Sequence, residues 1–229
     1  MSTSGRRHSP WAHATSARFF WLLVLLVGFI LIIPSFPSSA RGQWELMVLG
    51  VIIFFATFYV SKGVTQIWVM VSLVLVLTVT GGFYIFDGDP AVLLRIILYI
   101  LLATLLYTAS TVLSFVLDEG AVGIEHIFGA ICAYILIAMS FGTLDFILEL
   151  TQPGSFSGVH MEPHAGERPW GQFLYFSFTT LSTVGFGDIY PNTARARSFV
   201  ILEQLVAVFY VAILISRLTG MYTPTSKPR

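Results

Sequence analysis

Thr183 to Gly187 lie in the run TTLSTVGFGDIYP, Thr179 to Pro191, which sets two glycines one residue apart beside a Thr-Val-Gly triplet. Glycine takes φ > 0 at little steric cost, so alternating it with bulkier residues lets successive carbonyls point one way. An ordinary strand forbids this, because its successive groups alternate between faces. What those carbonyls face is the functional question. Other side chains offer less. His160, Glu162, His164 and Glu167 are types that bind divalent ions or sense pH, but they stand on a Pro/Gly-rich loop without a defined metal spacing, and a solvated loop is the simpler reading. Asp145 and Glu149, at i and i+4, either concentrate cations or solvate a helix end. No paired carboxylates, nucleophile with base, or His-Glu metal motif occurs at helical spacing, so the chain does not read as an enzyme.

The elements that must hold these residues are apolar. Of 229 residues 56% are hydrophobic and only 10% charged, with mean hydropathy +0.83, whereas a soluble domain carries about a quarter charged residues. The chain belongs in a bilayer. Its zero formal net charge and lack of a basic, aromatic-interleaved run exclude nucleic acid as a partner class. The single cysteine, Cys132, sits in an apolar run and reads as a small buried hydrophobe.

A bilayer core takes roughly 20 apolar residues per helix. On that basis six spans emerge: Phe19 to Ile33, Leu46 to Val60, Val64 to Phe86, Ala91 to Leu117, Ile124 to Leu150 and Ala196 to Leu218. PSFPSSARGQ, SKG and FDGDP are the breaker-rich turns between the early spans, making consecutive helices antiparallel neighbours. Arg6, Arg7, Arg18, Lys62, Arg217, Lys227 and Arg229 place both termini in the cytoplasm, with Arg195, Arg197, Asp118 and Glu119 opposing the bias. Residues 1–40 also read as a cleavable signal peptide, which would leave five spans and the same downstream orientation. After Leu150 comes a polar turret, 151–169, and then WGQFLYFSFTTLS, a 13-residue run too short to cross. It should dip in and return, as a short helix over 170–182 with Pro169 in its first turn. Irregular backbone at membrane depth must then face protein or a water-lined pore.

Thr183-Val184-Gly185-Phe186-Gly187-Asp188, preceded by an aromatic helix ending Thr179-Thr180-Leu181-Ser182 and followed by Tyr190-Pro191, resembles the selectivity filter of the potassium-channel family. The resemblance covers 124–218, as outer helix 124–150, turret 151–169, pore helix 170–182, filter 183–188 and inner helix 196–218. The four earlier spans, 19–117, match a six-helix channel by count alone, between a cytoplasmic N-terminus, 1–18, and a short cytoplasmic tail, 219–229, with no soluble ligand domain. The family implies that carbonyls of Thr183, Val184, Gly185, Phe186 and Gly187, with the Thr183 hydroxyl, replace the hydration shell of K⁺, the transported ion, without any cofactor. It implies a homotetramer in the plasma membrane, in contact with lipid, because one chain carries one such loop. TVTGGF, Thr78 to Phe83, lacks the Gly-x-Gly spacing and reads as a helix terminus.

By the same resemblance Asp188 ties the filter to the pore helix, and Tyr175 stands where relatives carry the Trp that binds this Asp, so that it either makes a substitute bond to Asp188 or belongs to an aromatic belt; Thr179 and Thr180 close the pore helix. Phe186 replaces the commoner Tyr, which removes a hydroxyl behind the filter. The fourth span has Arg95 as its only charge, so it is no voltage sensor. Arg95 is a snorkelling or structural residue, or a partner of Asp87 or Asp89. Glu203 and Gln204, inside the last span, are expensive there. Glu203 either packs behind the pore helix and changes protonation as the gate moves, or bonds to a Ser or Thr. That span lacks glycine between Arg197 and Gly220, with Ala207 or Ala212 where relatives have a hinge. The expectation is an all-α membrane protein conducting K⁺ passively; the alternatives are a weakly selective cation channel and a non-conducting pore-fold subunit.

Overall fold

Long apolar runs without water to satisfy their amides must close hydrogen bonds within themselves, and helices do so. The computed structural model describes residues 18–32, 90–118, 123–159 and 169–220. Five helices occur there: α1 Arg18–Ile32, α2 Pro90–Val116, α3 Ile124–Thr151, α4 Pro169–Leu181 and α5 Ala194–Gly220. The expected spans at 46–60 and 64–86, Asp87, Asp89, His160, Glu162, His164, Glu167 and both termini lie outside the described residues. Helices α2, α3 and α5 are long and apolar enough to cross a membrane, which makes this a multi-pass membrane-embedded protein. Helix α1, at 15 residues, spans about 22 Å at 1.5 Å per residue, short of a hydrocarbon core about 30 Å thick.

Helix α3 is the hub. It packs against α1, α2 and α4, and its buried residues run from Gly129 to Glu149. Leu22 and Leu26 of α1 and Leu98, Leu105 and Val112 of α2 join its Leu136 and Met139 in one core. Phe19 stacks on Phe115, which stacks on His126, at ring separations of 4.5 and 4.6 Å. Hydroxyls within α2 are satisfied by the preceding turn: Thr104 donates to Ile100 O and Thr108 to Thr104 O. Cys132 is fully buried, as expected, its thiol 3.5 Å from Phe19 O.

Two short strands add to the all-α expectation. β1, Phe156–Ser157, pairs antiparallel with β2, Tyr190–Pro191, Phe156 opposite Pro191 and Ser157 opposite Tyr190. The cause lies at the end of α3. Glu149, buried rather than solvated, accepts Gly154 N–H on Oε1 at 2.8 Å and Phe156 N–H on Oε2 at 2.9 Å, which folds the chain back across the helix end. Ser155 O then receives Asn192 N–H at 2.7 Å. Phe156 is buried edge-on against Phe173 and Phe176 of α4. Residues 152–157 are therefore clamped against the end of α3.

Candidate functional site

Helix α4 leaves its last carbonyls without partners in its own ladder, as every helix end does. Here the chain immediately downstream fills them. Thr183 N–H donates to Thr180 O at 3.1 Å, and the N–H groups of Val184 and Gly185 both donate to Thr179 O, at 3.0 and 3.1 Å. Thr179 and Thr180 thus act through their backbone oxygens, while the Thr179 hydroxyl donates to Phe176 O at 2.8 Å. The next residues alternate in hand: φ is +61° at Thr183, +51° at Gly185 and +79° at Gly187. For Gly185 and Gly187 this region is open; for Thr183 it costs roughly 1–2 kcal/mol. Alternating positive φ is what turns successive carbonyls to one side. Among the described residues no backbone N–H is donated to a carbonyl of Thr183 to Gly187, and the stretch through Asp188 is exposed along its length. It is a row of free carbonyl dipoles whose first three amides, those of Thr183, Val184 and Gly185, are tied back to a helix end.

Side chains around this row fix its position. Tyr175, on α4, lies parallel to Phe186 at 6.2 Å. Partial desolvation, with a hydrogen bond to the Asp188 carboxylate and its charge, raises the Tyr175 phenol above its ordinary pKa of 10.0. Asp188 Oδ1 also accepts Ile189 N–H at 3.0 Å. The segment after β1 approaches from the other side of the chain. Gly158, at φ +84°, leaves room in which a Cβ would lie 1.9 Å from Asp188 O.

Behind α4 the tethers run to α3 and α5. Trp170 Nε1 donates to Thr143 Oγ1 at 3.3 Å. Ser177 Oγ lies 2.8 Å from Ala138 O on α3 and 2.5 Å from Glu203 Oε1 on α5. Glu203 is fully buried behind the short helix, and the same contact gives it the serine partner. Among the described residues its Oε2 and both oxygens of fully buried Asp145 have no hydrogen-bond partner. The reading of Asp145 as a solvating helix-end acid is thereby corrected: its face of α3 turns inward. Ala207 packs with Ala138 and Leu181 in a small apolar cluster, and α5 runs unbroken through it. Arg95 donates to Leu150 O at 3.4 Å, a cation on the carbonyl end of α3, where the helix dipole favours it.

This geometry sits within a segment with known counterparts. Residues 130–223 match the Ion_trans_2 family model, described as ion channel. The match covers less than half of the chain. Among curated proteins, 62 residues are 44% identical to "Potassium channel protein kcv" of Paramecium bursaria Chlorella virus 1, spanning 27% of this chain and 65% of that protein. A second similarity, 33% over 91 residues, is to "Two pore potassium channel c" of Oryza sativa subsp. japonica, spanning 40% of this chain and 18% of that one. The chain thus spans less than two thirds of either relative.

Sequence reading missed Ser177, Gly158 and the clamp made by Glu149. A serine alone on an otherwise aromatic helix face, with an acid inside the next span, was the available signal for Ser177. Gly158 and Glu149 act through closures across the fold that no local spacing announces.

Proposed function

We propose that this chain forms one quarter of a potassium-selective pore, with Thr183, Val184, Gly185, Phe186 and Gly187 as its ion-conducting filter. The observation that carries the reading is the alternation of positive φ at Thr183, Gly185 and Gly187, directly after a 13-residue helix and inside the segment that matches an ion-channel family. Carbonyl dipoles can replace a K⁺ hydration shell yet bind weakly enough for the ion to leave. Both curated relatives are potassium channels by name, which favours K⁺ over other cations. One row of exposed oxygens is an incomplete cage; four copies about an axis complete it. The exposed apolar face of α5, including Leu202, Leu205, Phe209 and Ile213, and exposed Val184 and Phe186, would be covered by neighbouring copies and lipid.

On this reading ions cross passively, with Asp188 and Tyr175 steadying the outer filter and Thr179 and Thr180 anchoring its inner end. Helix α2 does not sense voltage strongly, because Arg95 is its sole charge and one charge moving through the field gains only about 2.3 kcal/mol per 100 mV. The orientation has both termini in the cytoplasm of a plasma-membrane protein. The test is flux. K⁺-loaded proteoliposomes diluted into Na⁺ should release K⁺, Gly185→Ala should abolish the release, and native mass spectrometry should find four copies. No release from liposomes that hold intact assemblies would contradict the reading.

A further inference from the structure

Resting on that pore reading, we propose that Glu203 is a positioning residue that carries a proton shared with Ser177, and that losing this proton at alkaline pH weakens conduction. The argument is a count of hydrogens. Ser177 has one hydroxyl proton, yet its Oγ lies within bonding distance of two oxygens, Ala138 O and Glu203 Oε1. The Ala138 carbonyl can only accept. Were Glu203 ionised, it too could only accept, and one of the two contacts would be left without a hydrogen. A neutral Glu203 donates to Ser177, Ser177 donates to Ala138, and every contact is filled.

The surroundings agree. The titratable groups that face Glu203 from α3 are the Asp145 carboxyl and the neutral Tyr134 phenol. Ser177 faces it from α4. Neither helix contains a Lys or Arg, β2 offers only the exposed Tyr190, and the nearest cations along α5 are Arg195 and Arg197 at its exposed start. Among the described residues Glu203 Oε2 and both Asp145 oxygens lack partners and no cation faces them, so a second ionised acid would meet like charge there. The acid pair therefore holds at least one proton, and the Ser177 contact places it on Glu203.

That proton joins α3, α4 and α5 at one point. Removing it leaves a charge in the core and breaks the chain of bonds behind α4, the helix whose terminal carbonyls hold the amides of Thr183 to Gly185. Glu203→Gln keeps a donor toward Ser177 but cannot titrate.

The experiment uses the full chain reconstituted in lipid, with two readouts. Infrared spectra of protein carrying ¹³C-labelled glutamate should contain the stretch of a protonated carboxyl at neutral pH. It should be lost in Glu203→Gln, kept in Asp145→Asn, and bleached on alkalinisation. In bilayers, K⁺ current of the wild type should be mostly lost over the same alkaline range, while Glu203→Gln conducts at neutral pH with a flat profile. Absence of the band, its survival in Glu203→Gln, or a Glu203→Gln current that is silent or follows the wild-type profile overturns the inference. The infrared band does not depend on conduction, so a band without K⁺ current in any variant would sink the pore reading while leaving the proton where it is placed.

Discussion

Tyr175 and Gly158 approach the Thr183–Asp188 row from opposite neighbours, and each carries a separate prediction. The Tyr175 phenol is held above 10.0, so its bond to Asp188 is complete below that value and lost as pH rises through the higher folded one. Tyr175→Phe keeps the parallel ring against Phe186 and deletes only that bond. Its K⁺ current should run down faster than wild type at neutral pH, where the bond is complete; equal run-down there would show the bond to be idle. Gly158 and Gly154 have nearly the same φ, +84° and +85°, but only Gly158 meets a neighbour, Asp188 O, where a Cβ would stand. Gly154→Ala should cost about 1 kcal/mol of backbone strain and Gly158→Ala a further 1–3 kcal/mol from the clash. Thermal unfolding of the detergent-solubilised variants reads the difference, and equal transitions would deny the close approach. The alternating glycines were legible in the sequence because their demand is local: a positive φ is a property of one residue. Gly158 was not, because its neighbour lies 30 positions away.

At the level of elements, the short helix α4 is held at three places: Trp170 to Thr143, Ser177 to Ala138 and Glu203, and the Phe156 ring beneath the β1 and β2 pair. The pair itself depends on Glu149. Glu149→Gln leaves one oxygen to serve two N–H donors, Gly154 and Phe156, so one stays unsatisfied in a buried turn. A loss of about 1–3 kcal/mol is expected, with faster amide exchange confined to residues 152–158; unchanged exchange there would contradict the clamp. Helix existence and limits were legible from apolar length, with α3, α4 and α5 lying within two residues of the expected bounds. The inward turn of Asp145 and Glu149 was not. Acids at i and i+4 share a helix face, but their spacing does not say whether that face meets water or another helix.

For the whole molecule, α1 and α2 lie directly on α3, and Phe29 of α1 reaches Trp170 of α4 at 6.2 Å. At the far end of α5 Arg217 donates to Asp118 O in the turn after α2. The helices outside the matched segment therefore brace α3, α4 and the end of α5. That role follows from packing and is compatible with the lone charge of α2. The apolar composition announced the membrane setting, and the Thr183–Asp188 motif announced the alternating backbone; which side chains brace that stretch depended on contacts between distant helices. The central claim concerns what crosses between four such rows of carbonyls. Reversal potential in planar bilayers under opposed K⁺ and Na⁺ gradients tests it most directly, with Gly185→Ala measured beside the wild type. The account requires reversal near the K⁺ equilibrium potential and loss of that current in the variant. Reversal near zero, or a Gly185→Ala current that reverses where the wild type does, would contradict it.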